Sequence, residues 1–145
     1  MNYKPQNTQD VIPYLVVDDV DGLIEFLQKT FDGKLMYRMT GENNRAMHAE
    51  VLVGDSNIMM GSSSGQPPIQ CMLYVYVPDV DETYKRALAA GAEVVRPVED
   101  QYYGDRSGGV KDAWGNQWWF STHKESLSEQ EIQKRHDEQM KQREG

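Results

Sequence analysis

The strings YLVVDDVD, from Tyr14 to Asp21, and YVYVPDVD, from Tyr74 to Asp81, lie sixty positions apart and agree at five of eight residues. Two of the three differences are apolar in both copies. In a chain of 145 residues this repeat leaves room for little besides two copies of one supersecondary unit. Each copy starts with an apolar, aromatic run, VIPYLVV (Val11 to Val17) or CMLYVYV (Cys71 to Val77), which reads as a buried strand. Each run enters an Asp-Val-Asp turn, Asp19-Val20-Asp21 or Asp79-Val80-Asp81, whose carboxylates suit the open N–H groups of a starting helix. GLIEFLQKTF then sets Leu23, Phe26, Leu27 and Phe31 on one helical stripe, and ETYKRALAA does the same with Tyr84, Ala87 and Leu88. Gly33 and Gly91 stand where glycine commonly ends a helix.

Three strand-like stretches follow each helix. They are KLMYRMT, RAMHAEVLV and SNIMMGS in the first copy, and EVVRPV, a stretch near SGGVKDA, and NQWWFST in the second. Gly41 to Asn44, Gly54 to Ser56, Gly104-Asp105 and Ala113 to Asn116 supply the turns. The expected organisation is α+β, with two tandem βαβββ modules at 1–61 and 70–123 joined by a polar linker at 62–69. A polar helical tail spans 124–145 and opens on the capping-box pattern Ser126-x-x-Glu129. A lone unit of this kind leaves half its sheet uncovered, and a second copy can complete it.

Composition narrows the partners. The formal charge of -8 argues against nucleic acid, which needs clustered Lys and Arg. No apolar run reaches the length of a membrane span, and MNYKPQNTQD lacks the apolar core of a secretion signal. Cys71 is the single cysteine, so neither an internal disulfide nor a cysteine-based zinc site is available. A reduced, cytoplasmic protein is expected.

The paired modules, the D-V-D turns and the late run GDRSGGVKDAWGNQWWFS (Gly104 to Ser121) resemble the glyoxalase/bleomycin-resistance/extradiol-dioxygenase superfamily, also termed vicinal oxygen chelate. Asp112 to Asn116 is similar to that superfamily's D-P-x-G-N turn, with Ala113 in place of proline. The resemblance spans about residues 8 to 123 and speaks to fold more than to chemistry, since isomerases, dioxygenases, thiol transferases and drug binders share the fold. It implies a curved sheet forming a cup, often completed across a homodimer. It also implies a divalent metal held by four side chains of the first and last strands. Those positions fall here at Ile12, Met60, Met72 and Trp119, where the family uses His, Gln or Glu. Apolar side chains offer such ions no N or O donor, so the expectation is no metal and no cofactor.

Strand alternation then places Tyr14, Met72, Tyr74, Tyr76, Met60 and Trp119 in the cup, a lining suited to flat, apolar or cationic small molecules. His48 and Glu50 share one parity and are the weak candidates for catalytic or metal-binding roles. Tyr102, Tyr103 and Arg106 are placed on a Gly-rich loop at the rim. There Arg106 either holds a carboxylate or phosphate or merely pairs with Asp105 or Asp112. His123 and His136 are set aside as lying outside the strands, and Cys71 as a small buried residue. Two functions stay open: a metal-free small-molecule binder of the bleomycin-resistance type, or a metal-dependent lyase, isomerase or dioxygenase using His48 and Glu50.

Overall fold

A computed structural model describes residues 3–144. The first half runs β1 (Tyr14–Val17), α1 (Val20–Phe31), β2 (Lys34–Thr40), β3 (Ala46–Val53) and β4 (Ser56–Ser62), with one 3-10 turn at Glu42–Asn44. The second half repeats it as β5 (Met72–Tyr76), α2 (Val80–Ala89), β6 (Glu93–Asp100), β7 (Asp105–Lys111) and β8 (Gln117–His123), and α3 (Glu129–Glu144) closes the chain. Each half builds one four-stranded sheet, in the orders β1-β4-β3-β2 and β5-β8-β7-β6. In both sheets the first and last strands pair in parallel and the others pair antiparallel.

The repeated D-V-D has the same double use in each half. Its first Asp caps the helix: Asp19 accepts from the Gly22 amide at 3.0 Å and Asp79 from the Glu82 amide at 3.2 Å. Its last Asp lies in the first helical turn and takes an arginine from the sheet. Arg38 of β2 donates to Asp21 at 2.9 Å, and Arg106 of β7 donates to both oxygens of Asp81 at 3.0 Å. These arginines hold both carboxyls below the ordinary carboxylate range. The string is therefore written twice because each helix needs both a cap and a tie to its own sheet.

The two modules share one core. Phe26 and Phe31 of α1 cross to β8, with ring centres 6.0 Å and 5.5 Å from Trp118, and Phe31 stands edge-on to Phe120 at 5.4 Å. Such pairs add about 0.5–1.5 kcal/mol each to the burial of their area. Leu15, Val17, Leu23, Leu27, Val51 and Val110 complete a dry interior.

Several expected boundaries move. The first strands are shorter than the apolar runs, and Ile12 precedes β1. Helix α1 ends on Asp32 in the left-handed conformation (φ 55), one residue before the expected Gly33, whereas Gly91 has φ +101 as a glycine stop does. The tail helix is capped by Ser128, whose hydroxyl accepts from the Glu131 amide at 3.0 Å, not by Ser126. No helix among the described residues is long and apolar enough to cross a membrane.

Candidate functional site

Each sheet turns one side to the helices and leaves the other, the cup side, open. On the first sheet the cup side carries Tyr14, Met59, His48, Glu50, Tyr37 and Met39, as the strand registers Tyr14↔Met59, Glu50↔Met59, Tyr37↔Glu50 and Met39↔His48 require. Tyr14 lies across β4 because the residue beneath it is Gly61, where a Cβ would come within 2.5 Å of the tyrosine hydroxyl. The phenol thereby reaches His48 Nδ1 at 3.2 Å, and the Tyr37 ring flanks the same imidazole at 6.0 Å.

Met60 is not in the cup. It pairs with Leu15, is fully buried beneath the helices, and Met59 takes the cup position. The expected parity fails because the two last hairpins differ in length. Val53 pairs with Ser56 around the tight Gly54-Asp55 turn, while Lys111 pairs with Gln117 around a five-residue turn. Counting from Asn57 and Asn116 by the same offset therefore lands on opposite faces. Pairing across the parallel strands makes Met59 the counterpart of Trp119.

The second cup side is chemically richer. Met72, Tyr74, Tyr76 and Trp119 all lie on it, and the Trp119 ring passes over Gly109, where a Cβ would sit 2.7 Å from the indole. Beyond that glycine, the Arg96 guanidinium of β6 stands over the indole, 4.8 Å from the ring centre. Arg96 Nη2 also donates to the buried Ser107 hydroxyl at 2.5 Å, and Tyr103 OH lies 3.5 Å from the same oxygen.

Two residues further along β7 sits a buried carboxylate. Asp105 is 4% exposed. It accepts from Tyr76 OH at 2.9 Å and from Tyr74 OH at 3.3 Å, and it bonds His123 Nδ1 at 2.7 Å. The far ring nitrogen of His123 meets Ser126 Oγ at 2.9 Å. Burial works to raise the Asp105 carboxyl, but the bonds from His123 and Tyr76 outweigh it and hold its pKa below the ordinary value. Burial pushes the Tyr74 phenol well above its usual range, and the bond to Asp105 raises that of Tyr76.

Asp105 and His123 were legible only as a turn residue and a residue past the last strand. The structure makes them the first residue of β7 and the last of β8, paired directly in register. A parity count carried back from Ser107 and on from Ser121 would have found them. Arg96 carries no signal in the sequence beyond being one cation among valines. Arg106 is on β7 rather than on a loop, and it turns away from the cup. It pairs with Asp81 and, at 3.2 Å, with Asp100, not with Asp105 or Asp112. Tyr102 stacks edge-on with Tyr103 at 5.2 Å and lies 5.5 Å from His136 of α3, so the tail helix braces the rim loop.

The residues present do not fit a divalent metal. With the corrected register the four first- and last-strand positions are Ile12, Met59, Met72 and Trp119, none of which offers an N or O donor to such an ion. His48 and Glu50 share the cup side, but among the described residues no three His, Cys, Asp or Glu side chains come together as a metal cluster.

The model of the Glyoxalase/Bleomycin resistance protein/Dioxygenase superfamily matches residues 9–120. The chain belongs to that superfamily. An uncharacterised protein of Mycobacterium bovis is 33% identical, the match covering 83% of this chain and 88% of the relative. Among solved structures, TioX from Micromonospora sp. ML1 superposes with a TM-score of 0.69 at 28% identity, covering 79% of this chain and 98% of TioX. The fosfomycin resistance protein FosX of Listeria monocytogenes superposes at 0.60 with 18% identity, over 86% of this chain and 98% of FosX, a likeness of fold alone.

Proposed function

We propose that this superfamily member binds a small, flat molecule in its aromatic cup without a metal, and that two copies complete the cup as a homodimer. The observation that carries the reading is what the cup sides leave open. Met72 is 67% exposed, Tyr76 62%, Tyr37 50%, and Tyr74 and Tyr14 nearly as much. Soluble chains seldom leave aromatic and thioether side chains of this number on two sheet faces unless a ligand or partner covers them. Tyrosine and methionine faces suit planar rings, and Glu50 suits a cationic substituent at the first-sheet end of the ligand. Strand β2, exposed on nearly all its residues and edging its sheet, supports a second copy as the cover.

A metal-dependent enzyme is the second reading. It is favoured by one observation, the placement of His48 and Glu50 on a single cup side with Tyr14 bonded to the imidazole. Elemental mass spectrometry on untagged protein separates the two. About one transition metal per chain sinks the metal-free reading, whereas metal-free protein sends the search to ligands. In that case planar aromatic ligands should raise the melting temperature. A hundredfold excess over Kd contributes about 2.7 kcal/mol to the folded state. No shift with any planar compound overturns the binder.

A further inference from the structure

We propose that Arg96 makes an anion subsite in the second half of the cup, so that the ligand is a planar aromatic carboxylate. The inference rests on the binding function proposed above and fixes the chemistry of one end of the ligand. The guanidinium is held from two directions: the Trp119 ring lies against it, 4.8 Å from ring centre to the guanidinium carbon, and Ser107 Oγ anchors Nη2. Gly109, by carrying no side chain, is what allows the indole to lie there. These contacts fix the fork without neutralising it.

Its charge is otherwise poorly met. The Nε–H is shielded from solvent and has no hydrogen-bond acceptor among the described residues. The carboxylate of Glu99 stands 4.0 Å from Nε, too far for a hydrogen bond, and is 63% exposed. An exposed pair of that kind contributes little. Asp105, on the neighbouring strand β7 and the same side, does not serve, because Tyr74, Tyr76 and His123 already occupy it. Among the described residues of the first sheet no arginine faces the cup side, where Lys34, opposite Leu52 at the end of β2, is the cation. Arg38 of that sheet turns to the helix side to meet Asp21.

A guanidinium stacked on an indole, with N–H groups left over, matches the two oxygens of a carboxylate, and the surrounding tyrosine and methionine faces match a ring attached to it. Tyr103, 3.5 Å from Ser107 Oγ, supplies a further hydroxyl at the same spot.

Isothermal titration of the full-length protein with 2-naphthoate, 2-naphthamide and 2-naphthylmethylammonium tests this. These three probes share the naphthalene ring system and carry an anionic, a neutral and a cationic substituent. The carboxylate should bind at least about tenfold more tightly than the amide, the worth of one good charged hydrogen bond. Arg96→Met, which keeps the stem over Trp119, should abolish that preference while leaving amide binding in place. Arg96→Lys should retain part of it, since a point charge replaces a fork, and it guards against a folding defect in the methionine variant. Equal binding of carboxylate and amide, or a preference unchanged in Arg96→Met, overturns the subsite and leaves the binding function standing. The ammonium as the tightest ligand does the same. Heat from none of the three overturns both.

Discussion

The two modules share a backbone plan and differ in where they put polar chemistry. In the first, the cup side holds one hydrogen bond between side chains among the described residues, Tyr14 to His48, open to solvent. In the second, a buried carboxylate, two phenols, an imidazole and a stacked guanidinium occupy the equivalent surface. The hairpins before the last strands diverge in the same direction. Asp55 in the first is exposed and, among the described residues, accepts only from the adjacent Ser56 hydroxyl. Asp112 in the second is buried and accepts four bonds, from the backbone of Trp114 and Asn116, from Asn116 Nδ2, and from Trp118 Nε1. Asn116 in turn accepts from the Cys71 amide and so pins β5 beside β8. The two modules have the same frame, and only the second carries a preorganised polar interior. That asymmetry is a reason to seek binding specificity there.

The largest expected effect is at the two hairpins. Asp112→Ala strands the Trp118 indole N–H and the Asn116 amide in a dry interior, each costing about 1–3 kcal/mol. A total loss of about 3–5 kcal/mol is expected in urea unfolding, while Asp55→Ala stays within about 0.5 kcal/mol of the parent. Equal losses would mean that both hairpins are mere turns and that the contrast between modules is illusory.

The next effect is at the buried carboxylate. Asp105→Asn keeps the shape but gives up the charge that the phenols and His123 complement, at about 1–3 kcal/mol near neutral pH. The sign with pH follows from the depressed pKa. A group whose folded pKa lies below its unfolded value of about 3.9 stabilises above that value, and the stabilisation fades as pH falls toward the folded pKa. The gap between parent and Asp105→Asn should therefore be flat above about pH 5 and close in more acid solution. Glu50→Gln on the cup side of the first sheet, half-buried rather than buried, should stay within about 0.5 kcal/mol of the parent at neutral pH. A gap that persists unchanged at low pH would indicate that the variant disturbs packing rather than charge.

Why the fold was readable and the site only partly so is visible in particular residues. The D-V-D strings carry cap, first turn and tie to the sheet within three positions, and such local chemistry survives in any alignment of the two halves. The helix stripes of Leu23, Phe26 and Leu27 are equally local. Cup parity on β1, β5 and β8 could be counted from alternation. On β4 it could not, because face depends on the length of a hairpin, and one residue of difference inverts every side chain beyond it. That is how Met60 came to stand for Met59. Arg106 and Arg96 show the deeper limit. They sit on adjacent strands and are alike as residues, yet one faces a helix carboxylate and the other an indole. Arg106 follows plain alternation along β7, opposite in parity to Asp105 and Ser107, but the side of Arg96 is decided by irregularities in β6, between Val94 and Arg96 and again before Glu99, and no short sequence pattern announces a bulge. Asp105 and His123 were hidden for a related reason, since their meaning lies in their pairing across the sheet.

The smallest effect tests the two glycines that let an aromatic ring cross a strand. An alanine in a strand is favoured over glycine by about 0.5–1 kcal/mol, so the sign of each change depends on how easily the ring above can yield. Over Gly61 the contact is with the far end of Tyr14, an exposed side chain that can swing outward. Gly61→Ala should therefore be neutral or slightly stabilising, and should cost only the bond to His48. Over Gly109 the contact is with the body of the Trp119 indole, which is held by Gln117 at 3.1 Å and by Arg96 on its face. Forcing it up costs about 1–3 kcal/mol of overpacking, so Gly109→Ala should be net destabilising by about 1 kcal/mol and should shift Trp119 emission. Opposite signs in matched thermal melts would establish that the second sheet holds its aromatic ring as a fixed platform and the first does not. Equal signs would make the two cup sides equally soft, and the polar network of the second module would then have to be explained as stability alone.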